Sequence, residues 1–315
     1  MYLKIERFLL NKQYLRLRVI MSEWCDTVYY KDARNMSEIP DNSVHLIITS
    51  PPYFNIKDYA KDGYQDKTIT EKINGQIGDI EDYTNYILEL SKVWKECERV
   101  LTPNGKLAIN VPLMPILKEK LNTHYNRHVF DINASIETSI LENNKGLYLY
   151  DMFIWNRKNP TKRLMFGSYP YPRNFYAQNT IEFITIYVKE GKPQNNIPEK
   201  LKEASKLTED EWVKYTKQVW DIAIPNKADI AFGKHCALMP EEIVRRCIKL
   251  FSFQGDVVLD PFAGSGTTLK VAKELNRHYV GYELSKAYKS VIDKKLATQN
   301  KLIFTINSEE HVGIE

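Results

Sequence analysis

The 315-residue sequence predicts an α/β protein built on a doubly wound, mostly parallel sheet. Two features carry this prediction: short apolar runs alternate with segments of helical periodicity, and two of these runs end in unusual turns. One turn is Ser50-Pro51-Pro52-Tyr53, where proline cannot pair in a strand, and the other is Gly264-Ser265-Gly266. Since parallel strands end at one common edge, where small ligands bind, the two turns are candidate functional loops.

The N-terminal residues 1–21 are positively charged, and Glu6 is their only acid. The segment is either a basic helix that lies on a partner or a frayed extension with Met21 as an alternative start; we prefer the second interpretation. Its basic residues are Lys4, Arg7, Lys12, Arg16 and Arg18.

A strand candidate at Val44–Thr49 precedes a long amphipathic helix. The apolar positions of this helix recur with 3.6-residue spacing, which predicts one buried face. They are Tyr83, Ile87, Leu90, Trp94, Cys97 and Leu101. The turn residues 102–105 are expected to end the helix, and residues 106–111 to form a buried strand.

The middle of the chain is harder to assign. Residues 112–147 are less periodic and are expected to mix helix and loop, before strand candidates at Leu149–Trp155 and Glu182–Val188. Residues 189–232 are polar and strongly charged, with a short helix beginning at Thr208, and they are the best candidate for an inserted module.

The C-terminal part returns to the α/β pattern. A helix is predicted to open at Pro240, followed by strand Val257–Leu259, a helix through 269–275 and strand Tyr279–Tyr282. The glycine turn lies between the first of these strands and its helix, and the acidic Glu283 follows the second strand. An acid in that position can grip a ribose diol.

The glycine turn does not match the common phosphate-binding loops. No lysine follows the second glycine, as a P-loop requires, and the spacing is not GxGxxG. The glycines let the backbone approach a ligand closely, but the turn does not point several amide N–H groups at a pyrophosphate. It therefore fits an adenosine-type ligand such as S-adenosylmethionine.

Together, TSPPY at 49–53 and LDPFAGSGTT at 259–268 resemble the motifs of amino-group DNA methyltransferases. The catalytic motif precedes the cofactor motif, which is the circularly permuted, beta-class order of that family. The resemblance extends from about Asp26 to Tyr288 and implies a Rossmann-like, class I methyltransferase fold with an inserted target-recognition region. Four other stretches also resemble segments of that family. They are YYKDARNM at 29–36, IWNRKNPT at 154–161, TIEFITIYVK at 180–189 and KHCALMPEEIVRRCIKLFSFQGD at 234–256.

The resemblance implies a set of residues that bind S-adenosylmethionine. Asp32 would approach the adenine, and His235 would lie in the pocket, although this chain has His-Cys-Ala where the family often has His-Pro. The full set is Asp32, Thr49, His235, Asp260, Pro261, Phe262, Ala263, Gly264, Ser265, Gly266, Thr267, Glu283 and Leu284. No resident metal is expected.

The catalytic residues implied by the resemblance are Ser50, Pro51, Pro52 and Tyr53. An aromatic amine is a poor nucleophile until its nitrogen pyramidalises, and the Ser50 hydroxyl and Pro51 carbonyl can accept its hydrogens. Pro52 fixes the corner without a competing N–H, and Tyr53 offers a ring on which an extruded base stacks. In the family, serine in the first position tends to accompany cytosine N4 methylation and aspartate adenine N6 methylation, so we expect cytosine.

Contacts with double-stranded DNA are expected from segment 57–80, which interleaves charge with aromatic rings, and from the short basic run 156–163. The recognition sequence itself is expected to be read by residues 189–232 together with the first of these segments. The best candidates for DNA contact are Lys57, Tyr59, Arg157, Lys158, Lys162 and Arg163.

Several alternatives stay open on the sequence. The nearest is an adenine-N6 enzyme of the same class, and RNA or protein-glutamine methylation is less favoured because those enzymes commonly use Asn-Pro-Pro-Tyr. Methylation of a ring carbon needs a cysteine after proline, which this chain lacks. From other classes, the chain could be an inactive DNA-binding subunit or a nucleotide hydrolase, against which the missing P-loop lysine counts.

The expected organisation follows from these motifs. An extension at 1–21 precedes a catalytic half at 22–188, the insertion at 189–232, a cofactor-binding half at 233–300 and a tail at 301–315. With no secretory pattern and no apolar run of the roughly 20 residues that span a bilayer, a cytoplasmic protein is expected. A separate cognate restriction endonuclease is a possible partner, and the protein is expected to be a monomer or homodimer. The four scattered cysteines form no CxxC pair, so no structural zinc or disulfide framework is expected.

Overall fold

The computed structural model describes residues 23–54, 74–117, 127–158, 168–174, 177, 179–193, 196–232 and 238–297. Ten strands occur in this part of the chain. They are β1 (Thr27–Tyr29), β2 (Val44–Thr49), β3 (Leu101–Pro112), β4 (Met114–Leu117), β5 (Arg127–Phe130), β6 (Leu147–Arg157), β7 (Ile181–Lys189), β8 (Val219–Ile222), β9 (Val257–Asp260) and β10 (His278–Tyr282).

Eight of these strands form one sheet in the order β1-β10-β9-β2-β3-β7-β6-β8, and β4 pairs with β5 in a small second sheet. In the large sheet, β7 runs antiparallel to β3 and β6, while the other neighbouring pairs are parallel. The predicted doubly wound, mostly parallel sheet is therefore confirmed. The strand order changes direction at β9 and β2, which places a ligand-binding crevice at their carboxyl ends.

The helices cover both faces of this sheet. They are α1 (Tyr83–Val100), α2 (Ile132–Asn143), α3 (Glu199–Ala204), α4 (Glu209–Tyr215), α5 (Glu241–Phe251), α6 (Thr267–Glu274) and α7 (Lys289–Ala297), with 3-10 turns at Ile77–Asp79 and Lys286–Tyr288. None of the helices described is both long enough and apolar enough to span a membrane.

Each face of the sheet has its own hydrophobic core. On one face, the buried stripe of α1 packs with α2 against the sheet, as the helical periodicity predicted. On the other face, α5 and α6 cover residues such as Leu46, Ala108 and Val258. These two layers fix the strand ends that carry the candidate site.

The region of 112–147 contains more regular structure than its sequence pattern indicated, because β4, β5 and α2 all lie within it. The helix α1 ends at Val100, and Leu101 already belongs to β3, whose pairing with β2 shifts register between Val44 and Leu46. This irregularity lets residues 102–105 remain in the strand, where the turn pattern predicted a break.

The segment 189–232 is packed onto the core rather than standing apart from it. Strand β8 pairs with β6 in the large sheet, and Trp220 is fully buried. Helix α4 begins at Thr208 with a capping box, as the sequence predicted, and Glu211 on it forms an ion pair with Lys249 of α5. A target-recognition role for this segment stays a prediction.

Candidate active site

The Ser50 corner (Ser50-Pro51-Pro52-Tyr53) and the glycine turn (Gly264-Ser265-Gly266) lie at the same edge of the sheet. Strands β2 and β9 are direct neighbours, with Leu46 paired to Val258, and both end at this edge. The hydroxyl of Thr49 donates to Asp260 Oδ1 at 2.8 Å, and both residues are buried. Two segments that are 211 residues apart in the chain therefore meet through one hydrogen bond.

The glycine turn depends on backbone conformations that favour glycine. Gly264 has φ +51° and Gly266 has φ +80°, in the left-handed region. Helix α6 begins directly after Gly266, and a Cβ atom there would lie 3.3 Å from the side chain of Ile292. The turn is thus held between the strand end and α7.

Two acids face this turn from the ends of adjacent strands. Glu283 accepts hydrogen bonds from the amides of Gly264 and Ser285, both at 2.8 Å. Burial, together with the charge of Asp260, raises the pKa of Glu283 to about 7 despite the hydrogen bonds from the Ser285 and Gly264 amides, which lower it. Burial likewise raises the pKa of Asp260 to about 6, although hydrogen bonds from Thr268, Thr49 and the Phe262 amide lower it.

This charge pattern selects the kind of ligand that the turn can hold. Two neighbouring carboxyl groups repel a pyrophosphate and attract a cation or a pair of hydroxyl groups. Lys295 lies beneath the turn, where Asp229 balances its charge: its Nζ contacts Ser265 Oγ at 3.1 Å, Thr267 Oγ1 at 2.9 Å and Asp229 Oδ1 at 3.2 Å. The arrangement fits a sulfonium ribonucleoside better than a nucleoside triphosphate.

The Ser50 corner is fixed by tyrosine hydroxyls. Ser50 Oγ donates to the hydroxyl of Tyr53 at 3.2 Å, which leaves its lone pairs available to accept. The hydroxyl of Tyr86 donates to the Pro52 carbonyl at 2.9 Å. Beneath the corner, Phe54 packs against Tyr86 with ring centroids 5.3 Å apart.

Asp32 lies just beyond β1, two strands from β9 at the same edge. Its carboxylate accepts from the Arg34 amide at 2.9 Å and from Arg34 Nε at 3.0 Å. Burial acts to raise the pKa of Asp32, but the hydrogen bonds from Arg34 outweigh it and lower the pKa below its usual value. Arg34 also donates to the Gly75 carbonyl at 3.0 Å and pairs with Glu89, so Asp32 is held in place.

The remaining predicted cofactor residues cluster around the same turn. Phe262 is half-buried and packs edge-on against Trp94 of α1 at 6.3 Å, whereas Pro261 and Ala263 are buried and Leu284 is partly exposed. Several predicted site residues lie outside the described part of the chain, and these are His235, Lys57, Tyr59, Lys162 and Arg163.

The two described residues predicted to contact DNA differ in their surroundings. The side chain of Lys158 is 60% exposed and lies 4.0 Å from Asp221. Arg157 is only 21% exposed, donates to the Asn179 carbonyl and lies 3.6 Å from Glu182. The phosphate contacts expected of both residues stay predictions, and the Arg157 guanidinium also has partners within the protein.

A cavity of about 800 Å³ lies between the end of β8 and the start of α5. Its lining includes Lys158, Lys214 and Arg246 as well as Asp221 and Glu242. These charges pair with one another, as in the contact of Arg246 with Glu242 at 3.0 Å. The cavity therefore presents paired charges to a ligand, and its lining includes no residue of the Ser50 corner or the glycine turn.

The cysteines in the described part of the chain are structural. Cys97 and Cys247 are fully buried in the two cores, as their positions on the helical stripes predicted, and Cys25 is also buried. Burial raises the pKa of Cys247 to about 12, so its thiol stays protonated at neutral pH.

Tyr86, Lys295 and Arg34 are residues of the site that the sequence did not reveal. Tyr86 reads as one more aromatic residue of α1, next to the apolar stripe, and Lys295 as one of several lysines in a C-terminal helix. Their roles depend on contacts between segments that are distant in the chain, and only the three-dimensional structure supplies these.

Comparisons with known proteins agree with this geometry. A model of the DNA methylase family that joins N6 and N4 enzymes matches residues 44–294. The Type II methyltransferase M.MjaI of Methanocaldococcus jannaschii is 34% identical over 295 residues, covering 88% of this chain and 92% of that protein. M.MthZI of Methanothermobacter thermautotrophicus, also a Type II methyltransferase, is 30% identical over 287 residues, which are 87% of this chain and 77% of the relative.

Among solved structures, the fold resembles that of protein TTHA0409 from Thermus thermophilus, described as a putative DNA modification methylase. That protein was solved in complex with S-adenosyl-L-methionine. The TM-score is 0.65 at 30% sequence identity, and the likeness covers 86% of this chain and 92% of the other.

Proposed function

We propose that this chain, which belongs to the N6/N4 DNA methylase family and is a site-specific DNA methyltransferase that uses S-adenosylmethionine, methylates the N4 amino group of cytosine. One observation carries the proposal: the hydrogen bond from Thr49 to Asp260 joins the Ser50 corner and the glycine turn at one crevice. A methyl donor on the turn and a base at the corner would then share a single site.

The residues around the turn fit the cofactor. The acids Asp260 and Glu283 match a cationic ligand with a ribose diol, and the left-handed glycines let the backbone approach it closely. Asp32, held by Arg34, would meet the adenine end. When bound, S-adenosylmethionine supplies an electrophilic methyl group on a sulfonium.

The corner would orient the nucleophile rather than deprotonate it. The Ser50 hydroxyl is too weak a base to remove a proton from an aromatic amine, but its lone pairs and the Pro51 carbonyl can accept the amine hydrogens. This favours the pyramidal nitrogen that attacks, and the proton leaves after the nitrogen has become cationic. The rest of the acceleration comes from alignment of the nitrogen with the methyl group.

The target base must leave the duplex to reach this crevice, since an amine inside the stack cannot approach the corner. Tyr53, hydrogen-bonded to Ser50, offers its ring as the stacking surface. Serine in the first position of the corner supports cytosine over adenine, in line with the family tendency noted above. Since the relatives are named as Type II enzymes, we also propose that a separate endonuclease recognises the same DNA sequence.

Nucleoside analysis of DNA treated with the purified protein and S-adenosylmethionine tests the proposal. We expect N4-methylcytosine, placed at one short sequence when the same DNA is sequenced with base-level detection. N6-methyladenine without N4-methylcytosine would refute the cytosine assignment and favour the adenine enzyme. Tight cofactor binding without methylation of any DNA would favour an inactive DNA-binding subunit.

A further inference from the structure

Next to the Ser50 corner, three strands of the sheet bring three polar side chains, two of them buried, together on the face covered by α5. Asn110 lies near the end of β3, Glu182 near the start of β7 and Arg157 at the end of β6. Asn110 is paired with Ile184, and Glu182 with Trp155, both of which pack in the α5 core. Because side chains alternate along strands, the three polar residues share this face.

Glu182 is the centre of this Asn110–Glu182–Arg157 cluster. Asn110 Nδ2 donates to Glu182 Oε2 at 2.6 Å, and Arg157 Nη1 lies 3.6 Å from Glu182 Oε1. Asn110 is 4% exposed and Glu182 is 7% exposed. The carboxylate thus orients an amide on one side and a guanidinium on the other, away from bulk water.

Three buried atoms of this neighbourhood have no hydrogen-bond partner within the part of the chain that the structure describes. They are Asn110 Oδ1, Arg157 Nε and Asn179 Oδ1. The amide of Asn110 must turn its nitrogen to the carboxylate, so its oxygen is left without a donor. An unmade hydrogen bond of this kind is costly, and folded proteins rarely retain several together unless a ligand, an ion or an ordered water satisfies them.

We propose that the Asn110–Glu182–Arg157 cluster binds the ring edge of the flipped base and selects cytosine, a role that rests on the function proposed above. Beside its amino group, cytosine carries two acceptors, N3 and O2, whereas adenine carries N1 followed by a C–H. The Arg157 Nε–H fits the O2 acceptor, and with adenine it would stay buried without a partner. Since Ser50 and Pro51 accept the amine hydrogens, Asn110 acts by holding the Glu182 carboxylate that positions Arg157.

The variant Arg157→Lys separates this role from a phosphate contact. It keeps the positive charge but loses the planar Nε–H. A residue that only contacts phosphate would tolerate Arg157→Lys, whereas a residue that reads the base would not. Lys158, exposed and adjacent in sequence, serves as the matched control for a contact with the backbone.

The experiment uses a duplex with the target cytosine, located by sequencing the modified DNA, and the same duplex with an abasic target. For Arg157→Lys we expect kcat/KM to fall at least tenfold. Binding to the cytosine duplex should weaken at least fivefold, while binding to the abasic duplex and to S-adenosylmethionine stays unchanged. Lys158→Met should weaken both duplexes equally and reduce the salt dependence of binding.

A merely structural role would lower Tm and weaken both duplexes together, so equal effects of Arg157→Lys on the two duplexes would overturn the proposal. Wild-type kcat/KM in that variant would overturn it too. If Arg157→Lys does not fold, Asn110→Ala decides by the same pair of duplexes. If the wild type methylates DNA and neither variant has an effect, only the role of the cluster in base selection is refuted. If the wild type does not methylate DNA, the proposed function itself is refuted.

Discussion

At the residue scale, Asp260 and Glu283 are two acids with raised pKa values at the place where we propose that the cationic cofactor binds. Their pKa values in the fold, about 6 and about 7, exceed the ordinary values of 3.8 and 4.5. The protonated forms therefore favour the ligand-free fold below about pH 4, and this contribution is lost as pH rises through 6 to 7. A cationic cofactor reverses the trend because it stabilises the ionised acids.

The affinity for S-adenosylmethionine should consequently rise with pH through this window. We expect the dissociation constant to be about tenfold larger at pH 5.5 than at pH 8, since roughly one pKa unit of interaction corresponds to about 1.4 kcal/mol. Calorimetric titration across this range measures it. Glu283→Gln should bind more weakly at pH 8 and respond less to pH, and a wild-type affinity independent of pH would contradict the assigned roles.

Ser50→Ala tests the orienting role of the hydroxyl directly. Loss of one hydrogen bond to the reacting amine, worth about 1–3 kcal/mol, should lower kcat by about 10- to 100-fold. The dissociation constant for S-adenosylmethionine should stay within twofold, because Ser50 belongs to the corner, where it bonds Tyr53, and not to the glycine turn. Ser37→Ala, at an exposed serine, is the control, and a normal kcat in Ser50→Ala would exclude the role.

At the element scale, the first turn of α1 supports the catalytic corner. Neither proline of the corner has an N–H, so its backbone is anchored through carbonyls, and Tyr86 binds one of these. Tyr83, one turn away, packs against the same Phe54 at 5.2 Å but donates its hydroxyl to Ser135 at 2.8 Å. The two tyrosines pack in the same aromatic core, but only the Tyr86 hydroxyl binds the corner, since the Tyr83 hydroxyl binds Ser135.

Tyr86→Phe should therefore lower kcat about 5- to 20-fold with little change in the KM for S-adenosylmethionine, because a lost hydrogen bond of about 1 kcal/mol or more loosens the corner. Tyr83→Phe, matched in size and surroundings, should leave kcat near the wild-type value. Steady-state kinetics with a Tm for each variant gives the comparison. Equal losses of kcat in both variants would show that packing of the aromatic core sets the rate, and that the hydrogen bond from the Tyr86 hydroxyl to the Pro52 carbonyl does not.

Helix α7 supports the cofactor side through a buried lysine. The Nζ of Lys295 holds the two hydroxyl side chains that flank Gly266, and Asp229 supplies the opposite charge. Burial lowers the pKa of Lys295, so the ion pair with Asp229 is what keeps the amine charged beneath the turn.

Lys295→Met should lower the free energy of unfolding by about 3–5 kcal/mol, since it leaves Asp229 buried without its partner. Asp229→Asn is milder and should weaken binding of S-adenosylmethionine while the protein stays folded. Chemical denaturation and calorimetry measure the two effects, with Lys294→Met on the exposed face of α7 as the control. Unchanged stability in Lys295→Met would mean that the buried contacts do not support the turn.

The sequence predicted those elements whose local pattern agrees with their environment. Strand Val44–Thr49 is a nearly continuous apolar run and the amphipathic α1 has a clear period, while the glycine turn has a backbone requirement that only glycine meets easily. The sequence could not predict β1 or the small sheet of β4 and β5, since three- and four-residue strands are too short to show a period. Nor could it predict that Arg157 points inward, because Glu182 reaches it from another strand.

At the scale of the whole molecule, chain order and spatial order differ. The catalytic corner comes early in the sequence and the glycine turn late, yet the sheet places β2 beside β9. Each half brings one reactant to the shared edge, so neither half alone would contain a complete site. The extra strands β6 and β8 extend the same edge, and β8 itself belongs to the segment 189–232, where we propose that the DNA sequence is read.

The most direct test is a crystal structure with target DNA and an analogue of S-adenosylmethionine that carries an amine in place of the methylsulfonium. We expect the analogue on the Gly264–Gly266 turn, with its ribose at Glu283. The N4 amine of a flipped cytosine should lie about 3 Å from Ser50 Oγ and the Pro51 carbonyl. A base that stays in the duplex, or an analogue bound away from the edge of β2 and β9, would contradict the account.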